Sequence, residues 1–158
     1  MFHVGDKVVY PHHGAAIIQG LEEKELYGQT RTYFVLRLAY GDLTLMVPAD
    51  NTEEVGIRDV IPRNELDKVF KVLKAKECRM PSNWSRRFKT HVEKLRSGDI
   101  YQVAEVVRNL ARREKEKGLS AGEKRMLSRA RQILVSEVTF AAGVDEDEAE
   151  KMLDKVLT

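Results

Sequence analysis

Apolar and β-branched side chains recur in short runs through the first sixty residues, each run closed by turn residues, and this pattern predicts an all-β module. Lys7-Val8-Val9-Tyr10 ends at Pro11, and Ala15-Ala16-Ile17-Ile18 starts after Gly14, so Pro11-His12-His13-Gly14 reads as a turn between two strands. Residues 32–38 alternate, with Phe34, Leu36 and Leu38 on one face and Tyr33, Val35 and Arg37 on the other, after a turn at Tyr27-Gly28-Gln29. Gly41-Asp42 leads into the strand 43–48, expected to turn Leu43, Leu45 and Val47 to the core and Thr44 and Met46 outward. Five short strands of this kind suit a small curled barrel.

From Glu65 onward the period becomes helical: Leu66, Val69, Phe70 and Leu73 make one apolar stripe, and the domain boundary is expected near Pro62. Met80-Pro81-Ser82-Asn83 breaks this helix, and either Ser82 or Asn83 caps a second one over about residues 84–95, which stops at Ser97-Gly98. Asp99 caps a third, with the stripe Val103, Val106, Val107 and Leu110, running to Gly118. Ser120 followed by Glu123 makes a capping box for a fourth: the serine oxygen accepts a free amide while the glutamate reaches back to the serine amide. A fifth, residues 148–157, follows Gly143 and the acidic Asp145-Glu146-Asp147, whose charge complements a helix start. The expected architecture is α+β in two domains: a barrel over 1–62 and a compact all-α bundle of about five helices over 63–158.

Composition changes this picture in one respect. The chain has 158 residues, 42% hydrophobic and 33% charged, which suits a globular protein of two small cores. Its net charge of +2 conceals a segregation: residues 1–63 carry 6 basic and 9 acidic side chains, 64–143 carry 19 and 10, and 144–158 carry 2 and 6. The basic middle points to a polyanion, nucleic acid first, because charge acts locally within a Debye length of about 8 Å. No apolar run approaches the roughly 20 residues that cross a bilayer, and the start lacks a secretory signal, so a cytoplasmic protein with no membrane partner is expected. Cys78 is the single cysteine, which leaves no internal disulfide to form. With no sustained heptad seam, a monomer is expected.

No catalytic constellation stands out. His12-His13 is the best metal candidate, but neighbouring side chains in an extended strand diverge and no Cys, His or Asp completes a site, so neither metal nor cofactor is expected and a hydrolase is disfavoured. Gly14, Gly20, Gly28 and Gly41 are turn residues without phosphate-loop spacing. The informative segment is Asn83-Trp84-Ser85-Arg86-Arg87-Phe88-Lys89, where the only tryptophan sits at a helix start among three cations. Trp84 either plugs the junction between bundle and barrel or acts as an apolar wedge at a DNA minor groove, with Arg86, Arg87 and Lys89 on neighbouring phosphates. On a helix Arg86 and Lys89 share a face, whereas Arg87 lies about 100° round from Arg86. Lys124 and Arg125 could add phosphate contacts or form a solvated face. Arg108, Arg112, Arg113, Lys115 and Lys117, alternating with Glu114 and Glu116, read as an exposed salt-bridged helix end rather than as DNA contacts.

Three blocks together resemble a known family. Residues 4–14 (VGDKVVYPHHG) are similar to the opening of CarD-type bacterial transcription regulators, residues 83–89 (NWSRRFK) to their tryptophan segment, and residues 118–127 with 130–134 to their late helix. The resemblance implies a Tudor-like barrel that binds the β subunit of RNA polymerase in the holoenzyme with the housekeeping sigma factor. It also implies a helical domain that reaches promoter DNA at the upstream edge of the melted bubble, where Trp84 would wedge into the minor groove and hinder bubble collapse. The polymerase face would involve Lys24 and the strand Thr44-Leu45-Met46-Val47, pairing edge to edge with a polymerase strand. Such proteins often carry a basic residue at the position of Met46, where a thioether forms no salt bridge. The competing expectation is a protein-interaction adaptor, on polymerase or a repair factor, without a DNA wedge.

Overall fold

The computed structural model describes residues 2–39, 43–76 and 83–157. The turn at Gly41-Asp42, the thiol of Cys78 and the helix break at Met80-Pro81-Ser82 lie outside these residues. The chain runs β1 (Lys7–Tyr10), β2 (Gly14–Leu26), β3 (Gln29–Leu38), β4 (Thr44–Pro48), α1 (Thr52–Val55), β5 (Arg58–Asp59), a 3-10 turn (Arg63–Glu65), α2 (Leu66–Lys74), α3 (Trp84–Arg96), α4 (Ile100–Lys117), α5 (Ala121–Ala142) and α6 (Glu146–Leu157). The five bundle helices follow the sequence pattern, and Asn83, Asp99 and Ser120 cap the helices they were expected to cap; the one-turn α1 does not announce itself there.

The five strands form one antiparallel sheet in the order β4-β3-β2-β1-β5. Its ladder is open rather than closed into the expected barrel: among the described residues β4 pairs with β3 alone, and β5, only two residues long, pairs with β1. The β2–β3 hairpin closes through Tyr27 and Gly28, both at positive φ (52° and 76°), the mirror-type turn whose twist matches that of the strands. Val8, Ala16, Ile18, Phe34, Leu36, Leu38, Val47 and Ile57 make the core of the sheet. Leu45 packs against this core, but Leu43, expected inside, is 49% exposed because the strand begins only at Thr44.

The helices enclose a second, separate core, with Leu66, Val69, Leu73, Val103, Val106, Val107, Leu110, Leu134 and Leu153 among its members. Each such side chain fully removed from water contributes about 1.5–3 kcal/mol. The two cores meet along α5. β1 is buried on both faces, Val8 in the sheet core and Val9 against the bundle, so it departs from the half-exposed alternation of a surface strand. Ser136, buried on α5, accepts the Ala15 amide at 2.9 Å. Gly14 sits at φ +101°, and a β-carbon there would fall 2.8 Å from the Ser136 hydroxyl, so both the turn and the docking of α5 require glycine. Glu137, 3% exposed, receives two hydrogen bonds from Arg58 (2.6 and 2.7 Å) and one from the Ile61 amide (2.9 Å), while Arg58 Nε also donates to the Gly98 carbonyl at 2.7 Å.

Candidate nucleic-acid interface

The start of α3 is fixed by Asn83, whose side-chain oxygen accepts the Ser85 and Arg86 amides at 2.9 and 3.2 Å. Trp84 is therefore the first helical residue, and it projects from the helix end with 45% of its surface exposed. It does not plug the junction between the domains. Phe88, four residues on and hence on the same side of the helix, stacks beneath the indole with ring centroids 5.0 Å apart and planes 17° from parallel.

The start of α5 lies against this ring pair. Gly122 lies beside it: a β-carbon there would make ordinary van der Waals contact with both Trp84 (3.7 Å) and Phe88 (3.9 Å). The indole Nε1 donates to the Ser120 hydroxyl oxygen at 3.3 Å, and the same oxygen accepts the Glu123 amide at 3.2 Å. The hydroxyl donates to Glu123 Oε1 at 3.1 Å, and the Ser120 amide donates to that oxygen at 3.3 Å, completing the capping box. The other carboxylate oxygen of Glu123, itself 4% exposed, lies 3.5 Å from Arg87 Nε and 3.6 Å from Arg113 Nε. Burial pushes the Glu123 carboxyl up, but the Ser120 amide and hydroxyl and the two guanidinium groups outweigh it and hold the group below the usual glutamate value. His91, buried one turn past Arg87, is pushed down to about 4 by desolvation first and then by Lys94, with Glu123 opposing and Arg87 and Arg113 adding; it is neutral at pH 7.

The cations named from the sequence divide. Arg86 and Lys89 on α3, and Lys124 and Arg125 in the first turns of α5, are exposed, and the two helix starts that carry them are joined by the Trp84–Ser120 hydrogen bond. Arg87 is 5% exposed and faces Glu123, so its guanidinium is turned away from any ligand on the outer surface. The basic end of α4 is likewise not a uniform solvated face. Arg108 is 3% exposed and donates to the Val72 carbonyl, Arg112 donates to the Lys74 carbonyl at the end of α2, Arg113 faces Glu123, and Lys115 donates to the Leu157 carbonyl. His12 and His13 lie in the turn expected between β1 and β2, His12 at φ +71°, and their rings meet edge to face with centroids 6.0 Å apart.

A second feature lies in the sheet. Leu38 N donates to the Leu43 carbonyl and Ala49 N to that of Thr32, and the β3–β4 register pairs Leu36 with Leu45 and Phe34 with Val47. In an antiparallel ladder the intervening residues direct their main-chain groups away from the partner, so Thr44 and Met46 present theirs at the open edge. Lys24 is exposed on the β2–β3 ribbon, opposite Arg31, which is itself ion-paired with Asp50 at 3.1 Å.

Residues 2–61 match the family model described as the CarD-like/TRCF RID domain, and residues 68–154 match that of the CarD C-terminal domain. The chain belongs to the CarD family. The Bacillus subtilis (strain 168) protein YdeB is 38% identical over 146 residues, covering 92% of this chain and 95% of that protein. Among solved structures, the N-terminal domain of Myxococcus xanthus CarD is 32% identical and covers 37% of this chain and 79% of its own, with a TM-score of 0.32. The N-terminal part of CdnL from the same organism is 36% identical, covers 39% and 86%, and has a TM-score of 0.34. This CarD-family chain is accordingly an RNA polymerase-interacting transcription factor and not an enzyme. Among the described residues no helix is long and apolar enough to cross a membrane.

Four residues around Trp84 did not stand out as functional in the sequence: Phe88, Ser120, Glu123 and Arg113. Ser120 and Glu123 are visible there as a capping box, but the hydrogen bond from Trp84 to Ser120 spans 36 residues of sequence and has no local signature.

Proposed function

We propose that the protein binds the β subunit of initiating RNA polymerase through residues 1–62 and, through residues 63–158, holds the upstream edge of the melted promoter. The open edge of β4 over Thr44, Leu45, Met46 and Val47, with Lys24 nearby, offers a polymerase strand main-chain donors and acceptors. Trp84 enters the minor groove as a wedge, and Arg86, Lys89, Lys124 and Arg125 neutralise neighbouring phosphates. The observation that carries this reading is a half-exposed tryptophan at a helix start, backed by a stacked phenylalanine and set between two cation-bearing helix ends. Because hydrogen bonding in the minor groove is degenerate, recognition rests on bubble geometry and on polymerase rather than on an operator sequence. A differential contact of about 1–3 kcal/mol shifts the closed-to-open equilibrium about 5- to 150-fold.

The test is the lifetime of the open complex on a ribosomal RNA promoter with purified holoenzyme. The protein is expected to prolong it and Trp84→Ala to abolish most of the effect. Equal action of both proteins would instead favour an adaptor that works through the sheet alone.

A further inference from the structure

The indole of Trp84 is an unusual half-exposed aromatic, because its one polar atom is turned back into the protein. Nε1 meets Ser120, and that hydroxyl has no capacity left: it accepts from Trp84 and from the Glu123 amide and donates to Glu123 Oε1. Glu123 is held in turn, with one oxygen in the capping box and the other facing Arg87 and Arg113 from two different helices. Phe88 supports one face of the ring. The ring is thus fixed in plane and in rotation, with its apolar surface outward.

We propose that Ser120 and Glu123 are positioning residues for Trp84: they set the indole in its wedging orientation through the Nε1–Ser120–Glu123 relay, and Arg87 and Arg113 serve that relay rather than DNA. This rests on the wedge reading and deepens it. A long apolar side chain at a helix end samples several rotamers, each of which must be given up when it enters a groove. Fixing the rotamer beforehand removes that cost from the DNA step.

Trp84 is the only tryptophan, so its fluorescence in the free, full-length protein reports its orientation directly. Ser120→Gly removes the hydroxyl while glycine remains nearly as good an N-cap as serine, so α5 stays folded, as far-ultraviolet dichroism will verify. Ser120→Thr retains the hydroxyl and serves as the rescue. One hydrogen bond of this kind biases a rotamer by a factor of about 2 to 10. Ser120→Gly is therefore expected to raise acrylamide quenching, lower the anisotropy and shorten the open-complex lifetime by about 2- to 10-fold, with Ser120→Thr close to the wild type. Glu123→Gln, which keeps the capping box but not the charge facing Arg87 and Arg113, should shift quenching in the same direction. Unchanged quenching and anisotropy in a folded Ser120→Gly protein overturn the positioning role even if Trp84→Ala still abolishes promoter stabilisation. If Ser120→Gly frees the indole and Trp84→Ala has no effect on lifetime, it is the wedge reading that fails, and the orientation has no role in opening.

Discussion

Removing the Glu137 carboxylate should loosen the two domains without unfolding either. Glu137→Ala deletes the acceptor of both Arg58 guanidinium bonds and of the Ile61 amide, at a site where Glu137 is 3% exposed. Leaving one partner of a buried ion pair uncompensated costs about 3–5 kcal/mol. The Arg58 side chain is 30% exposed and keeps its bond to the Gly98 carbonyl, which places the expected cost near the lower bound, about 3 kcal/mol. Sheet and bundle have separate apolar cores, so the loss falls on their docking. The diagnostic group is the Ala15 amide, which bonds to Ser136 in the interface and touches neither Arg58 nor Glu137 directly. Its hydrogen exchange, protected by docking alone, should accelerate by about 100-fold, the equivalent of roughly 3 kcal/mol of local opening. Arg58→Ala and the double variant complete a cycle that isolates the pair. An Ala15 amide that exchanges as slowly in folded Glu137→Ala as in the wild type would refute the argument, since docking would then not depend on this pair. If docking does depend on it, the proposed function requires that the variant also stabilise promoters poorly although Trp84 and β4 are intact, because the span between β4 and Trp84 is no longer fixed.

Two further outcomes follow from the same geometry. His91 carries a folded-state value of about 4 against an ordinary 6.5, so the unfolded chain takes up its proton first on acidification. The stability this confers is complete above about pH 6.5 and is lost towards pH 4, an expected fall of about 2–3 kcal/mol in urea unfolding that His91→Gln should remove; the depressed Glu123 carboxyl adds to the acid side of the same profile, below the usual glutamate range. Met46→Pro takes one main-chain donor from the open side of β4 and none from the β3 ladder, so the sheet should stay folded while binding to purified polymerase weakens about fivefold or more, the loss of roughly one hydrogen bond. Unaltered polymerase affinity would rule out strand pairing at that position.

What was legible in the sequence is what is decided within a few residues. Asp99 caps α4, Ser120 and Glu123 form their box, and the stripe Val103, Val106, Val107 and Leu110 is buried as its spacing requires, because periodicity and capping are local. Pairing over longer range left no such mark. Closure of the sheet turned on which strand β5 would join, a matter of two residues pairing with β1. The double burial of Val8 and Val9 follows from α5, more than a hundred residues away, and the Arg58–Glu137 pair spans 79 residues.

Charge shows the same division with a functional consequence. Counted along the chain, residues 64–143 carry a large basic excess, and three cations, Arg86, Arg87 and Lys89, stand beside Trp84 in sequence. Folded, Arg87 is spent on Glu123, Arg108 and Arg112 on the carbonyls of α2, and Arg113 on Glu123 again. Arg86 and Arg87 already differ by about 100° around the helix, but only the position of Glu123 decides which of the two turns inward. Each phosphate neutralised on duplex DNA adds about 0.9 to the salt dependence of binding. Arg87, buried against Glu123, is expected to add nothing to that slope. On the proposed function, the grip on promoter DNA would be set by four exposed cations and one oriented ring, and the protein would depend on polymerase to deliver it to the fork.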